Sequence, residues 1–267
     1  MLEACLAQTE PADEIIVALM GGTPDHLPDR LKRSCRFVTV TGEKLPLAEA
    51  RNAAAAAATT DQLIFLDVDC IPSPDLVRSV RDVAAPRLCL TGDCRYLAKG
   101  QAETSGRFED LWSKAEHHPA RPLPEAHGEP FRMPRMTDLW SLNFALPTDL
   151  FRSIGGFDER FVGYGGEDTD FAVRLGQTGA ELVFVPGMRA VHQWHPVSIP
   201  PLQHFDDIVE NARRFREIHG AWCMDYWLDQ LQDRGFIHWA EERISVLRKP
   251  SGDDLEAARQ PPTVRFS

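Results

Sequence analysis

The chain has 267 residues, 43% hydrophobic and 26% charged, which suits one sizeable domain with an appendage and excludes a collagenous, low-complexity or wholly disordered protein. Asp plus Glu number 40 against 29 Lys plus Arg, a net charge of -11, which argues against nucleic acid or a bare anionic membrane as the main partner. A small anionic substrate stays compatible where local positive charge or a metal is present. The six cysteines (Cys5, Cys35, Cys70, Cys89, Cys94, Cys223) form no C-x-x-C pair and sit beside apolar residues, so they read as reduced core thiols of a cytosolic protein. No apolar run reaches the length of a membrane span, and Glu3 and Glu10 stand where a secretory leader carries Lys or Arg.

The first residues read as the end of a helix, turning at Pro11 into a strand over Glu14–Leu19. Arg36–Val40 alternates like a strand. The alanine run Ala53–Ala58 favours a helix over Leu47–Thr60. Gln62–Asp67 is a continuous apolar run of strand length, as expected of a strand buried on both faces. Ser73 is placed to cap a helix over Pro74–Ala84. Arg87–Leu97 predicts a strand or strand pair, and Phe108–Glu116 a helix. The stretch His117–Met136, dense in Pro and His, predicts a long irregular loop of functional character. A strand over Leu139–Leu146 and a short helix over Thr148–Ile154, ended by Gly155-Gly156, follow. A glycine-rich turn leads into a helix from Glu167 to about Gly176, then strands at Glu181–Val185 and Arg189–Trp194. Strand and helix alternate through the first part of the chain, which predicts an α/β fold with a mostly parallel central sheet flanked by helices. Residues 1–200 form the expected main domain, 201–248 a C-terminal helical appendage (helices over Gln203–His219 and Trp222–Leu247), and 249–267 a flexible tail.

Four segments carry candidate chemistry. Asp67-Val68-Asp69 follows the buried strand, so both carboxylates point into the crevice beyond the strand ends, where oxygen ligands suit Mg²⁺ or Mn²⁺. D-x-D is common in an acidic chain, and Asp168-Thr169-Asp170 repeats it. The run from Gly155 to Asp170 combines tight-turn glycines with Glu167 and Asp168 at a helix start, where the helix dipole favours a permanently ionised base. His192 and His195 follow a strand and are candidate metal ligands. Arg51 opens the alanine helix and is placed to meet a phosphate, while Trp112, Trp140 and Trp194 are candidates for stacking on a sugar.

In this order the segments resemble a nucleotide-sugar glycosyltransferase of the GT-A fold, specifically family 2 proteins with a galactosyltransferase-like C-terminal segment. The resemblance rests on LAQTEPADEIIV (Leu6–Val17), ARNAAAAAATTDQLIFLDVDCIPSPDLV (Ala50–Val77), GGFDERFVGYGGEDTDFAVRL (Gly155–Leu175) and FVPGMRAVHQWHP (Phe184–Pro196). The third is the most specific, since similar runs occur in β-1,4-galactosyltransferases and chondroitin-type polymerases. The resemblance implies a metal-dependent, inverting transfer from a nucleoside-diphosphate sugar, a UDP-sugar foremost, to a hydroxyl acceptor. It implies Asp168 as the catalytic base with Glu167 beside it, and Arg51, Asp67, Asp69 and Tyr164 at the donor. It implies Asp69, His192 and Asp67 as ligands of a divalent cation, Mn²⁺ or Mg²⁺. Family members begin with a strand and a nucleobase-holding loop, whereas Met1 here falls inside the helix that follows, so the first strand of the fold is expected to be missing. Leu19-Met20-Gly21-Gly22 also replaces an Asp-Asp-Gly-Ser segment, and the base pocket reads as incomplete. Two other readings stay open: a non-catalytic sugar or nucleotide binder on the same scaffold, and a metal-dependent phosphohydrolase or nucleotidyltransferase.

Overall fold

A computed structural model describes residues 1–42, 44–103, 106–121 and 128–266. It opens with α1 (Leu2–Leu6), β1 (Ile16–Met20), α2 (Asp29–Ser34), β2 (Arg36–Val40) and α3 (Leu47–Ala57). Next come β3 (Gln62–Leu66), β4 (Cys70–Pro72), α4 (Leu76–Val83), β5 (Leu88–Thr91), β6 (Cys94–Tyr96), α5 (Phe108–Trp112) and β7 (Glu116–His117). Then follow β8 (Phe131–Arg132), β9 (Asn143–Pro147), α6 (Thr148–Ser153), α7 (Glu167–Gln177), β10 (Glu181–Phe184) and β11 (Ala190–His192). The C-terminal part holds α8 (Phe205–His219), α9 (Asp225–Asp233), β12 (Ile237–Trp239), β13 (Ile244–Val246) and α10 (Gly252–Ala258).

The fold is mixed α/β. β1 and β2 pair in parallel, and α3 packs across both. The central sheet has the order β3-β9-β5-β10-β8. β5 and β10 are parallel, but β9 is antiparallel to both of its neighbours, and β8 is antiparallel to β10. Thus β3, β5 and β10 point one way, and the expected mostly parallel pairing is interrupted where the returning chain inserts β9 between two of them. A second sheet, β4-β11-β6-β7, carries the segments just beyond β3 and β5. Among the described residues β1 pairs only with β2 and β3 only with β9, and both strands line one large cavity.

The main core lies between the central sheet and α3, α6 and α7. Its centre is aromatic: Phe65 stacks on Phe144 at 4.6 Å and Phe157 on Phe171 at 4.3 Å, with Phe151 tilted against both pairs. Offset ring pairs of this kind add to the area they bury. Ser73 does not cap the helix that follows; its hydroxyl donates to the Gly187 carbonyl, tying two strand ends together instead.

The C-terminal region is not purely helical. α8 forms as expected, but Trp222–Leu247 divides into α9 and the hairpin β12-β13. Gly235, with φ 71°, ends α9 and lets the chain reverse. The segment expected as a flexible tail contains α10, closed by a capping box between Ser251 and Asp254. Beyond it Trp194 Nε1 donates to the Val264 carbonyl at 3.0 Å, and Arg265 Nη1 donates to the Tyr96 and Lys114 carbonyls. Among the described residues no helix is long and apolar enough to cross a membrane, and all six cysteines are free thiols.

Candidate active site

A cavity of about 850 Å³ runs from the space between β1 and β3, where α1 and α4 also line it, to the C-terminal end of β3 and the N-terminal end of α7. Arg51, Asp67, Asp69, Tyr164, Glu167 and Asp168 all line it. β3 delivers the D-x-D segment, since Asp67 and Asp69 follow its last residue. α7 delivers the acidic pair in its first turn, and Gly166 at its N-cap has φ 88°, a conformation that favours glycine. Asn211 of α8 fixes the preceding turn by donating to the Val162 and Gly165 carbonyls. Asn52 of α3 fixes the other end: its amide exchanges two hydrogen bonds with the Phe157 backbone. Neither asparagine stood out in the sequence as a positioning residue; only the adjacency of Asn52 to Arg51 hinted at one of them.

Arg51 links the acids. Its Nη2 donates to Asp67 Oδ1 at 3.1 Å and its Nη1 to Glu167 Oε1 at 3.1 Å. The guanidinium also lies over the Phe157 ring at 5.2 Å. Arg51 therefore grips carboxylates rather than standing free for a phosphate. Burial pushes the Glu167 carboxyl up to about 7, with the Asp168 charge adding to the rise and Arg51 opposing it. Burial also raises Asp168, although its side chain is part-exposed to the cavity; Arg51 and a hydrogen bond from the Thr169 N–H oppose the rise. At Glu167 the expectation of a permanently ionised acid is corrected, since desolvation outweighs the helix dipole.

Asp69 Oδ2 lies 3.2 Å from His192 Nε2. Asp69, His192 and His195 together bring one donor atom each within 4.8 Å of one another. One carboxylate and two imidazoles form a donor set suited to a borderline divalent ion. His192 is held by the stack of Tyr96 on its ring at 4.7 Å, and its buried Nδ1 has no hydrogen-bond partner. The sequence placed Asp67 in the metal set, whereas the structure seats Asp67 on Arg51 and gathers His195 into the cluster. His204, Met224, Tyr226 and Trp227, which the sequence did not single out, line the same cavity.

Other expectations separate. Trp140 lines the cavity, but Trp112 packs on Phe108 and Trp194 bonds the C-terminal segment. Asp170, the second acid of the repeated D-x-D, is fully buried between Arg174 and His219, at 2.7 and 2.9 Å, and is structural. In the Pro/His stretch, His118 and Ala120 line the cavity, β8 forms at Phe131–Arg132, and residues 122–127 lie outside the described residues.

An α/β crevice with acids at a strand end and at a helix start is compatible with the GT-A fold, and comparisons with known proteins support that fold. A family model described as glycosyl transferase family 2 matches residues 1–133, and one described as the N-terminal domain of galactosyltransferase matches residues 129–196. Together these two matches run through residues 1–196 and support a GT-A glycosyltransferase, family 2-like in its first half and galactosyltransferase-like after it. The chain is similar to validoxylamine A glucosyltransferase of Streptomyces hygroscopicus subsp. limoneus, 30% identical over 196 residues, covering 62% of this chain and 42% of that protein. It is 25% identical over 226 residues to polypeptide N-acetylgalactosaminyltransferase 11 of Xenopus tropicalis, covering 79% of this chain and 35% of that protein. The chain thus spans well under half the length of these curated relatives. Among solved structures, GalNAc-T7 with UDP, GalNAc and Mn²⁺ aligns with a TM-score of 0.52 at 20% identity, covering 73% of this chain and 40% of that one. Mannosyltransferase PcManGT from Pyrobaculum calidifontis, with GDP-Man and Mn²⁺, aligns with a TM-score of 0.51 at 16% identity, covering 87% and 63%.

Proposed function

We propose that the chain transfers a sugar from a nucleoside-diphosphate sugar to an acceptor hydroxyl, with inversion at the anomeric carbon. The observation that carries this reading is that Asp69, already paired with His192, and Asp168 open onto one cavity. Asp69, His192 and His195 are the residues that would hold a divalent ion, and two imidazoles favour Mn²⁺ over Mg²⁺. A bound ion supplies charge neutralisation for the departing nucleoside diphosphate. The similar structures carrying UDP or GDP-Man with Mn²⁺ support a nucleotide-sugar donor, and UDP is the base proposed here.

Asp168 takes the proton from the acceptor hydroxyl as that oxygen bonds to the anomeric carbon and the bond to the diphosphate breaks. Its raised proton affinity makes it a stronger base than an exposed carboxylate. Arg51 fixes Asp67 and Glu167 in place, so the walls of the crevice need not reorganise during transfer. A metal-dependent phosphohydrolase or nucleotidyltransferase would use Asp67 with Asp69 on the metal, but Asp67 is engaged by Arg51, which favours transfer.

Replacing Asp168 by Asn tests the assignment. Transfer from a nucleotide sugar should fall about 10²–10⁴-fold while donor affinity by calorimetry persists. Near-normal transfer by Asp168→Asn would remove the residue from the role of base.

A further inference from the structure

The cavity has an aromatic wall of which the family resemblance implies a role for Tyr164 alone, at the donor. Tyr164 stacks on His204 at 4.4 Å with 19° between planes, and on Trp227 at 5.3 Å with 30°. All three line the cavity together with Met224 and Tyr226. Two of these rings, Tyr226 and Trp227, come from α9, so the C-terminal region builds part of the site. Tyr226 is 61% exposed, so its ring is accessible to a ligand.

The backbone is shaped to bring this wall in. Met224, the N-cap of α9, has φ 60° and is the one non-glycine residue with positive φ among the described residues. Strained backbone of this kind persists where the surroundings hold it and collects at ligand sites. Opposite it, a Cβ at Gly165 would lie 2.6 Å from Met224 Sδ and 3.2 Å from the Trp227 ring. Glycine at 165 is therefore what lets the start of α9 seat against the turn that carries Tyr164 and leads to Glu167 and Asp168.

Flat aromatic faces beside carboxylates match one kind of ligand. A hydroxylated six-membered ring offers an apolar C–H face to the aromatics and hydroxyls at its edge to the acids. A phosphorylated or carboxylated ring would meet the charges of Glu167, Asp168 and Asp67 and is disfavoured. We propose that Trp227 and Tyr226, set against Tyr164 by the left-handed turn at Met224, form the acceptor platform and take a neutral polyhydroxylated ring. This deepens the transferase reading and rests on it for the word acceptor; the binding itself does not.

Saturation-transfer NMR separates the two. Methyl β-D-glucopyranoside and myo-inositol distinguish a pyranose from a carbocycle, with sorbitol as the acyclic control. Either ring should show transfer to its C–H protons in the native protein, and the signal should drop at least about tenfold in Tyr226→Ala and Trp227→Leu, with Trp227→Phe retaining it. Calorimetry with UDP and Mn²⁺ on the same variants should give a donor affinity within about twofold of the native protein. If Trp227→Leu fails to fold, Tyr226→Ala decides. Equal signals from sorbitol and the rings, no ring signal, or ring binding untouched by Tyr226→Ala would overturn the platform. A matching loss of UDP affinity would assign the wall to the donor and also overturn it. Failure of the transferase reading shows separately, as ring binding without any nucleotide-sugar turnover.

Discussion

Glu167 and Asp168 begin α7, where the free N–H groups of the first turn favour an ionised acid by about 0.3–1 kcal/mol. The rise of Glu167 from 4.5 to about 7 corresponds to roughly 3 kcal/mol in the opposite direction, so desolvation decides. The two acids share one site and take up protons as a pair. A carboxyl whose folded value is raised above its unfolded one stabilises the fold fully below about 4.5, and that contribution is lost as pH climbs through about 7. Native protein should therefore lose stability between pH 5.5 and pH 8 by about 2 kcal/mol more than Glu167→Gln does. Urea denaturation of both proteins at the two pH values measures this, and parallel losses would show that Glu167 ionises as an exposed acid.

α3, β3 and α7 meet at Arg51, whose side chain is largely buried and paired at both ends. Replacing Arg51 by Met would leave Asp67 and Glu167 facing the cavity without a cation. The expected cost at pH 8 is about 3 kcal/mol, read by chemical denaturation, and it should shrink near pH 5 as Glu167 protonates. A cost under about 1 kcal/mol at both pH values would mean solvent already serves these acids. The elements that meet here were legible in sequence because each has a local signature: the apolar run Gln62–Leu66, the alanine-rich helix, and the glycine turn before Glu167. What was not legible is tertiary. Nothing local marks β9 as the strand that inserts antiparallel between β3 and β5. The sequence offers His195 as a candidate ligand, but nothing before the contact is seen shows that Arg51 holds Asp67, or that His195 rather than Asp67 joins Asp69 and His192. The helical pattern over Trp222–Leu247 misled because a hairpin with polar turns has a similar apolar content; only Gly235 marked the break.

Across the whole molecule, the C-terminal region is tied to the site from two sides. α8 and α9 supply Asn211, Met224, Tyr226 and Trp227 to the turn and cavity around Tyr164. The last described residues reach the other side: Arg265 donates to the Tyr96 carbonyl, and Phe266 meets the Tyr96 ring edge-on at 5.7 Å. Tyr96 in turn stacks on His192, so the chain end braces a histidine of the Asp69 cluster. Packing of distant segments onto one crevice is what a site needs to hold two substrates in line.

The account depends on Asp69, His192 and His195 gripping one cation that binds a nucleoside diphosphate in the cavity. Calorimetric titration of UDP into the native protein and into Asp69→Ala, each with and without Mn²⁺, tests this directly. The account predicts binding to the native protein that is at least about tenfold tighter with Mn²⁺, and no gain from Mn²⁺ in Asp69→Ala. Equal affinity with and without the ion, or a gain that survives the loss of Asp69, would contradict it.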